Sequence, residues 1–127
     1  MWANDSESKI LYVQTHGVAD PGRSATPFFL AAAAAAMESE VMIYFTMYGP
    51  TLLRKDVIDT IGPKGSEGEP LRYFIEQATS LGVRLLVCQP SLELNDLSLT
   101  DLIDGVEMIG GAAFNDLAVT ADAVISF

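Results

Sequence analysis

Cys88 is the single cysteine of this 127-residue chain and His16 its single histidine, so thiol or imidazole chemistry rests on these two positions. Cys88 closes the apolar run Val83-Arg84-Leu85-Leu86-Val87-Cys88 and is followed at once by Gln89-Pro90-Ser91. A thiol where a strand gives way to a turn is held rigidly and can still face solvent. Such a sulfur can act as a nucleophile or carry a second sulfur as a persulfide, since the thiolate is the reactive form. It has no partner for an internal disulfide. Free cysteine is also among the most buried residue types and can serve as a small apolar filler. Both roles for Cys88 stay open at this level.

The residues that could assist a thiol are few. His16 could take its proton or donate to an anionic sulfur group; it could equally satisfy the backbone of its own loop. Arg84 is on the same run but four residues away, more than ten ångströms along a strand that rises roughly 3.3 Å per residue. Arg23 is the better candidate cation. Pro90-Ser91 can open a helical turn whose free amides point back toward the sulfur. Glu93, Asp96, Asp101 and Asp104 have no His or Cys beside them and lack calcium-loop spacing, so they read as a solvated face and no metal is expected. Met37, Met42 and Met47 fall in or beside core elements. Ser24 and Ser91 lack the strand-turn-helix setting of a hydrolase nucleophile.

Composition narrows the partners. Seventeen acidic and seven basic residues give a net charge of -10, a field that repels phosphate backbones and anionic lipid. Neither nucleic acid nor a membrane surface is expected. Half of the residues are hydrophobic and the mean hydropathy is +0.29. On one small domain that excess implies apolar surface covered by another subunit, hence a homo-oligomer. Residues 1–8 read as a polar tail without a signal pattern, and the longest apolar run, Phe28 to Met37, is too short to span a bilayer. One cysteine and no secretory signal point to the cytoplasm.

The elements that must position these residues alternate. Strands are expected at Lys9–Thr15, Glu40–Met47, Val83–Cys88, Gly105–Ile109 and Ala123–Phe127. Helices are expected from Pro27 to Ala36, with Ser24 or Thr26 as cap, then over Thr51–Ile61, Leu71–Leu81 and Ala112–Ala121. Shorter helical turns fall at Ser91–Asn95 and Thr100–Asp104, and Gly62 to Pro70 is loop without a phosphate-binding glycine pattern. Alternating strands and helices give one α/β domain, a five-stranded parallel sheet with helices on both faces. A flavodoxin-like doubly wound order of 2-1-3-4-5 suits that count. It makes the first and third strands neighbours and sets His16 and Cys88 on one crevice, with Arg23, Gly17, Gln89 and Ser91 as its substrate-binding rim.

The order of these pieces resembles the DsrE/DsrF-like sulfur-transfer proteins. The likeness is carried by Thr15-His16-Gly17, Asp20-Pro21, Thr26-Pro27-Phe28, the alanine-rich helix and Glu40-Val41. It continues through Leu85-Leu86-Val87-Cys88 with Pro90, Asp101-Leu102-Ile103-Asp104-Gly105 and Ala121-Asp122-Ala123-Val124, and so covers nearly the whole chain. The resemblance, which extends to TusD-like and YchN-like proteins, implies an α/β domain assembled as trimers or hexamers. It further implies that Cys88 accepts sulfane sulfur or a thiosulfonate group and passes it to a partner such as a TusA-like carrier. No cofactor is implied. Relatives often carry a second cysteine three residues after the first, where this chain has Ser91. Single-thiol carriage survives that difference; a two-cysteine redox cycle does not. The competing reading is a non-catalytic oligomeric scaffold or small-ligand-binding subunit. Nucleotide or flavin binding finds no glycine fingerprint after the first strand.

Overall fold

The computed structural model describes residues 8–127. The expected polar tail at residues 1–8 therefore falls almost wholly outside the described residues. Five strands, β1 (Lys9–Gln14), β2 (Glu40–Phe45), β3 (Arg84–Cys88), β4 (Glu107–Ile109) and β5 (Ala123–Ser126), form one parallel sheet. The helices are α1 (Thr26–Ala36), α2 (Leu71–Thr79), α3 (Gln89–Leu94) and α4 (Gly111–Thr120).

The strand order is β4-β3-β2-β1-β5, which replaces the expected 2-1-3-4-5. β2 is the central strand, and Val41 through Phe45 are all buried. A strand covered on both faces needs that unbroken apolar run. The connections then follow from handedness. Steps from β1 to β2, β3 and β4 all move one way across the sheet, so right-handed crossovers place α1, α2 and α3 on one face. The return from β4 to β5 crosses the whole sheet in the opposite direction and places α4 on the other face. Helices on both faces are thus observed, with the single switch of direction at β1 and β5.

The larger core lies under α1 and α2. Phe28, Ala31 and Ala34 of α1 and Leu71, Ile75 and Ala78 of α2 meet Tyr12, Ile43, Phe45, Leu85 and Val87 of the sheet. Alanine is the best helix former and brings α1 close to the strands. Phe28 and Phe45 pack at its centre in a tilted pair with ring centroids 5.7 Å apart. The smaller core joins Leu11, Met42, Tyr44, Leu86 and Cys88, with Phe114, Leu117 and Ala118 of α4 only partly buried against it.

Three local expectations change. α1 starts after Ala25 without a side-chain cap, and Ser24 Oγ donates instead to the Pro21 carbonyl at 2.7 Å. The expected helix at Thr51–Ile61 is a 3-10 turn at Gly49–Leu53 followed by turns. Its backbone pairs with the segment around Leu102: Lys55 N–H donates to the Asp101 carbonyl and Ile103 N–H to that of Leu53. Leu52, Leu53 and Ile58 are buried all the same. The turn expected from Thr100 is a 3-10 segment at Leu99–Asp101, capped by Ser98. The glycine stop after α2 is present: Gly82 adopts φ +91, Val83 N–H donates to the Ala78 carbonyl and Gly82 N–H to that of Thr79. Those paired bonds define a left-handed helix end that glycine adopts without strain.

Candidate functional site

Cys88 ends β3 and immediately precedes α3. Its sulfur lies 2.6 Å from Ser91 Oγ and 3.3 Å from Thr46 Oγ1, and the two hydroxyls are 3.2 Å apart. Thr46 follows β2, whose register runs directly beside β3. Ser91 of α3 and Asn95, which caps its end, then grip the next residue, Met47. Met47 N–H donates to Ser91 Oγ at 2.7 Å, and Asn95 Nδ2 donates to the Met47 carbonyl at 2.8 Å and to the Ser91 carbonyl at 2.6 Å. Met47 has φ +57, a left-handed conformation rare for a residue with a side chain. Ser91 and Asn95, four residues apart at the start and just past the end of α3, hold both ends of its peptide in that shape.

Opposing effects act on the thiol. Burial pushes its pKa up, while hydrogen bonds from Ser91, Thr46 and Tyr44, with a contribution from the Ser91 amide, pull it down; the result lies below the ordinary cysteine value. Tyr44 is moved the other way, above the usual tyrosine range, first by burial and then by its bond to Cys88. Tyr44 thus keeps its proton and can donate it to the sulfur. Its ring packs on Phe114 of α4 with centroids 4.3 Å apart. The donors that favour the anion are three neutral hydroxyls and one backbone amide.

The other expected site residues sit apart from the sulfur. His16 follows β1, and β2 intervenes, so two strand spacings, on the order of 10 Å, separate the imidazole loop from the thiol. His16 Nδ1 lies 3.3 Å from Thr15 Oγ1, and its carbonyl accepts Gln14 Nε2 at 3.0 Å. Arg23 is exposed and pairs with Asp20 at 3.1 Å. Gly17 is buried; a Cβ there would collide with the Tyr48 carbonyl and Thr51 Oγ1, so its place is set by the close approach of two loops. Gln89 is exposed beside the sulfur and reaches Glu93 at 3.4 Å. Ser91 alone of the expected rim touches Cys88.

The thiol is also less open than a strand-end position implies. Cys88 is 9 % exposed, with Leu86 and Tyr44 in the same cluster, while Gln89 and Pro90 after it are exposed and Met47 is 51 % exposed. Two surface grooves of about 520 and 560 Å³ open elsewhere, one between α2 and the starts of β3 and β4, the other around Arg54, Asp56 and Asn95. Neither is lined by Cys88. Among the described residues no cluster of His, Cys, Asp or Glu could hold a metal ion. Tyr44, Thr46, Met47 and Asn95 were absent from the sequence-based site. The adjacency of β2 and β3 is the signal that finds them, because it carries Thr46 to the sulfur.

The model of the DsrE/DsrF-like family matches residues 8–127. The sulfur carrier protein DsrE2 of Allochromatium vinosum is 29% identical, the match covering 91% of this chain and 96% of that one. Among solved structures, the ychN protein from E. coli superposes with a TM-score of 0.78 at 22% identity, covering 94% of this chain and 99% of that one. A protein of unknown function from Methanobacterium thermoautotrophicum gives 0.65 at 16% identity, covering 95% and 99%. Both structures speak to the fold. No helix among the described residues is long and apolar enough to cross a membrane.

Proposed function

The chain belongs to the DsrE/DsrF-like family, and from that premise we propose that it is a sulfur carrier whose Cys88 holds transferable sulfur as a persulfide or thiosulfonate. The observation that carries this reading is the set of hydroxyl donors on a buried sulfur. A cysteine sealed among aliphatic groups has its thiol pKa raised and is inert. Here the donors outweigh burial and favour the thiolate. A sulfur carrier protein among the relatives supports the same role.

In loading, the Cys88 thiolate attacks the outer sulfur of a donor persulfide. The new bond joins Cys88 Sγ to that sulfur, the donor's S–S bond breaks, and its electron pair leaves with the donor thiolate. With tetrathionate, attack on an inner sulfur leaves a thiosulfonate on Cys88 and expels thiosulfate. Ser91 cannot form a disulfide with Cys88, so the sulfur leaves only to an outside acceptor, of which a small TusA-like carrier protein is the expected kind. Exposed Met108, Val119, Val124 and Ile125 on β4, α4 and β5 favour assembly with further copies, for which the family resemblance implies a trimer or hexamer, and a lone thiol suits the reducing cytoplasm.

Intact-protein mass spectrometry after incubation with polysulfide or tetrathionate tests the reading. Wild type should gain the mass of sulfur or thiosulfonate and Cys88→Ser should gain nothing. An unmodified wild type whose thiol still alkylates under the same conditions would reject it.

The near-burial of Cys88 favours a second reading, a non-catalytic oligomeric scaffold or small-ligand-binding subunit of the same fold. Under it, Cys88→Ser keeps every partner contact and assembly state of the wild type.

A further inference from the structure

Resting on the sulfur-carrier reading, we propose that Ser91 and Thr46 make Cys88 Sγ a good leaving group, which biases this protein toward handing sulfur on over keeping it. The hydrogen-bond pattern gives the direction. Ser91 Oγ accepts the Met47 N–H at 2.7 Å, so its oxygen is oriented by a donor that cannot be reversed. Its own proton has two acceptors within reach, Cys88 Sγ at 2.6 Å and Thr46 Oγ1 at 3.2 Å. If Ser91 donates to sulfur, Thr46 can donate to either neighbour. If Ser91 donates to Thr46, the Thr46 proton is left for sulfur at 3.3 Å. Each arrangement ends with at least one O–H on Sγ, and a thiolate can receive both.

These donors address Sγ and not a second sulfur bonded to it. In a persulfide, Sγ is a neutral bridging atom and any negative charge sits on the outer sulfur. During delivery an acceptor thiolate attacks the outer sulfur of the protonated persulfide. A bond forms between acceptor and outer sulfur, which keeps its proton, and the Sγ–S bond breaks with its electron pair passing to Sγ. The two hydroxyl bonds strengthen as that charge arrives, so they act on the transition state more than on the loaded state. Loading runs differently. There the same donors raise the thiolate fraction but lower its nucleophilicity, and the two effects partly cancel. Release should therefore depend on Ser91 and Thr46 more than loading does.

Wild type, Ser91→Ala, Thr46→Val and Ser91→Thr are each loaded with polysulfide, freed of excess reagent and treated with cyanide, which removes the outer sulfur as thiocyanate. Ser91→Ala should release thiocyanate roughly five- to tenfold more slowly while its loading rate changes by about twofold or less. Thr46→Val should show a smaller slowing in the same direction, and Ser91→Thr, which keeps the hydroxyl, should restore release. Equal release from wild type, Ser91→Ala and Thr46→Val, all loaded, overturns this inference alone. A wild type that never loads rejects the carrier reading beneath it.

Discussion

The two faces of the sheet are built to different standards. Under α1 and α2, Phe28, Phe45, Leu52, Leu53 and Leu71 are all fully buried. Across the sheet, α4 has no buried residue and lies alone over Leu11, Met42, Tyr44, Leu86 and Cys88. Val119 on that helix is 80 % exposed. The first face supplies most of the apolar burial that holds the chain together. The second carries the sulfur, the Tyr44 hydroxyl that bonds to it and a surface short of cover. Stability and candidate chemistry are thus divided between the two sides of one β-layer, and β2 serves both: Ile43 and Phe45 face one side, Met42 and Tyr44 the other.

Substitutions on the two faces should separate in size. Phe45→Ala, which empties the well-packed face, should cost about 3–5 kcal/mol in denaturant unfolding. Phe114→Ala on α4 should cost about 1–2 kcal/mol, since that ring is only partly buried. Equal costs would dissolve the contrast. Val119→Asp should stay within about 0.5 kcal/mol of wild type for the isolated subunit while shifting sedimentation toward smaller species. A Val119→Asp protein that sediments like an assembled wild type would show that α4 lies outside the contact between copies.

A similarly small effect belongs to the sheet edge on the α4 side. Arg84 and Glu107 pair at 2.9 Å and are about half exposed. The Arg84 guanidinium, opposed by burial, holds the Glu107 carboxyl below its ordinary value. A carboxylate lowered on folding contributes stability above its unfolded pKa and loses it as pH falls through the folded one. Arg84→Ala should thus cost under about 1 kcal/mol at neutral pH, a difference that shrinks to nothing in strong acid.

Element types were legible because their signals are local. The alanine run, the Gly82 stop and the strand ending at Cys88 each sit where a few neighbouring residues put them. Thr51–Ile61 misled because its apolar spacing matches a helix, whereas its backbone bonds are divided among local turns, the start of α2 and the distant segment around Leu102. Strand order is a non-local property, and here one cue pointed the right way. Val41 through Phe45 is the most evenly apolar run, which suits a central strand better than the edge position that 2-1-3-4-5 assigns to it. That error propagated into the site. It set His16 beside Cys88 and hid Thr46, whereas Ser91 was found because it is only three residues from the sulfur. The hydroxyl set around the thiol had no sequence signature of its own, since Tyr44 and Thr46 reach it only through the pairing of β2 with β3.

The pH dependence of Cys88 alkylation in wild-type protein tests the central claim, that a largely buried sulfur ionises more readily than an ordinary thiol. The rate should rise through an inflection below the ordinary cysteine value. An inflection at or above that value would mean that burial prevails over the Ser91, Thr46 and Tyr44 hydroxyls, and would contradict the account.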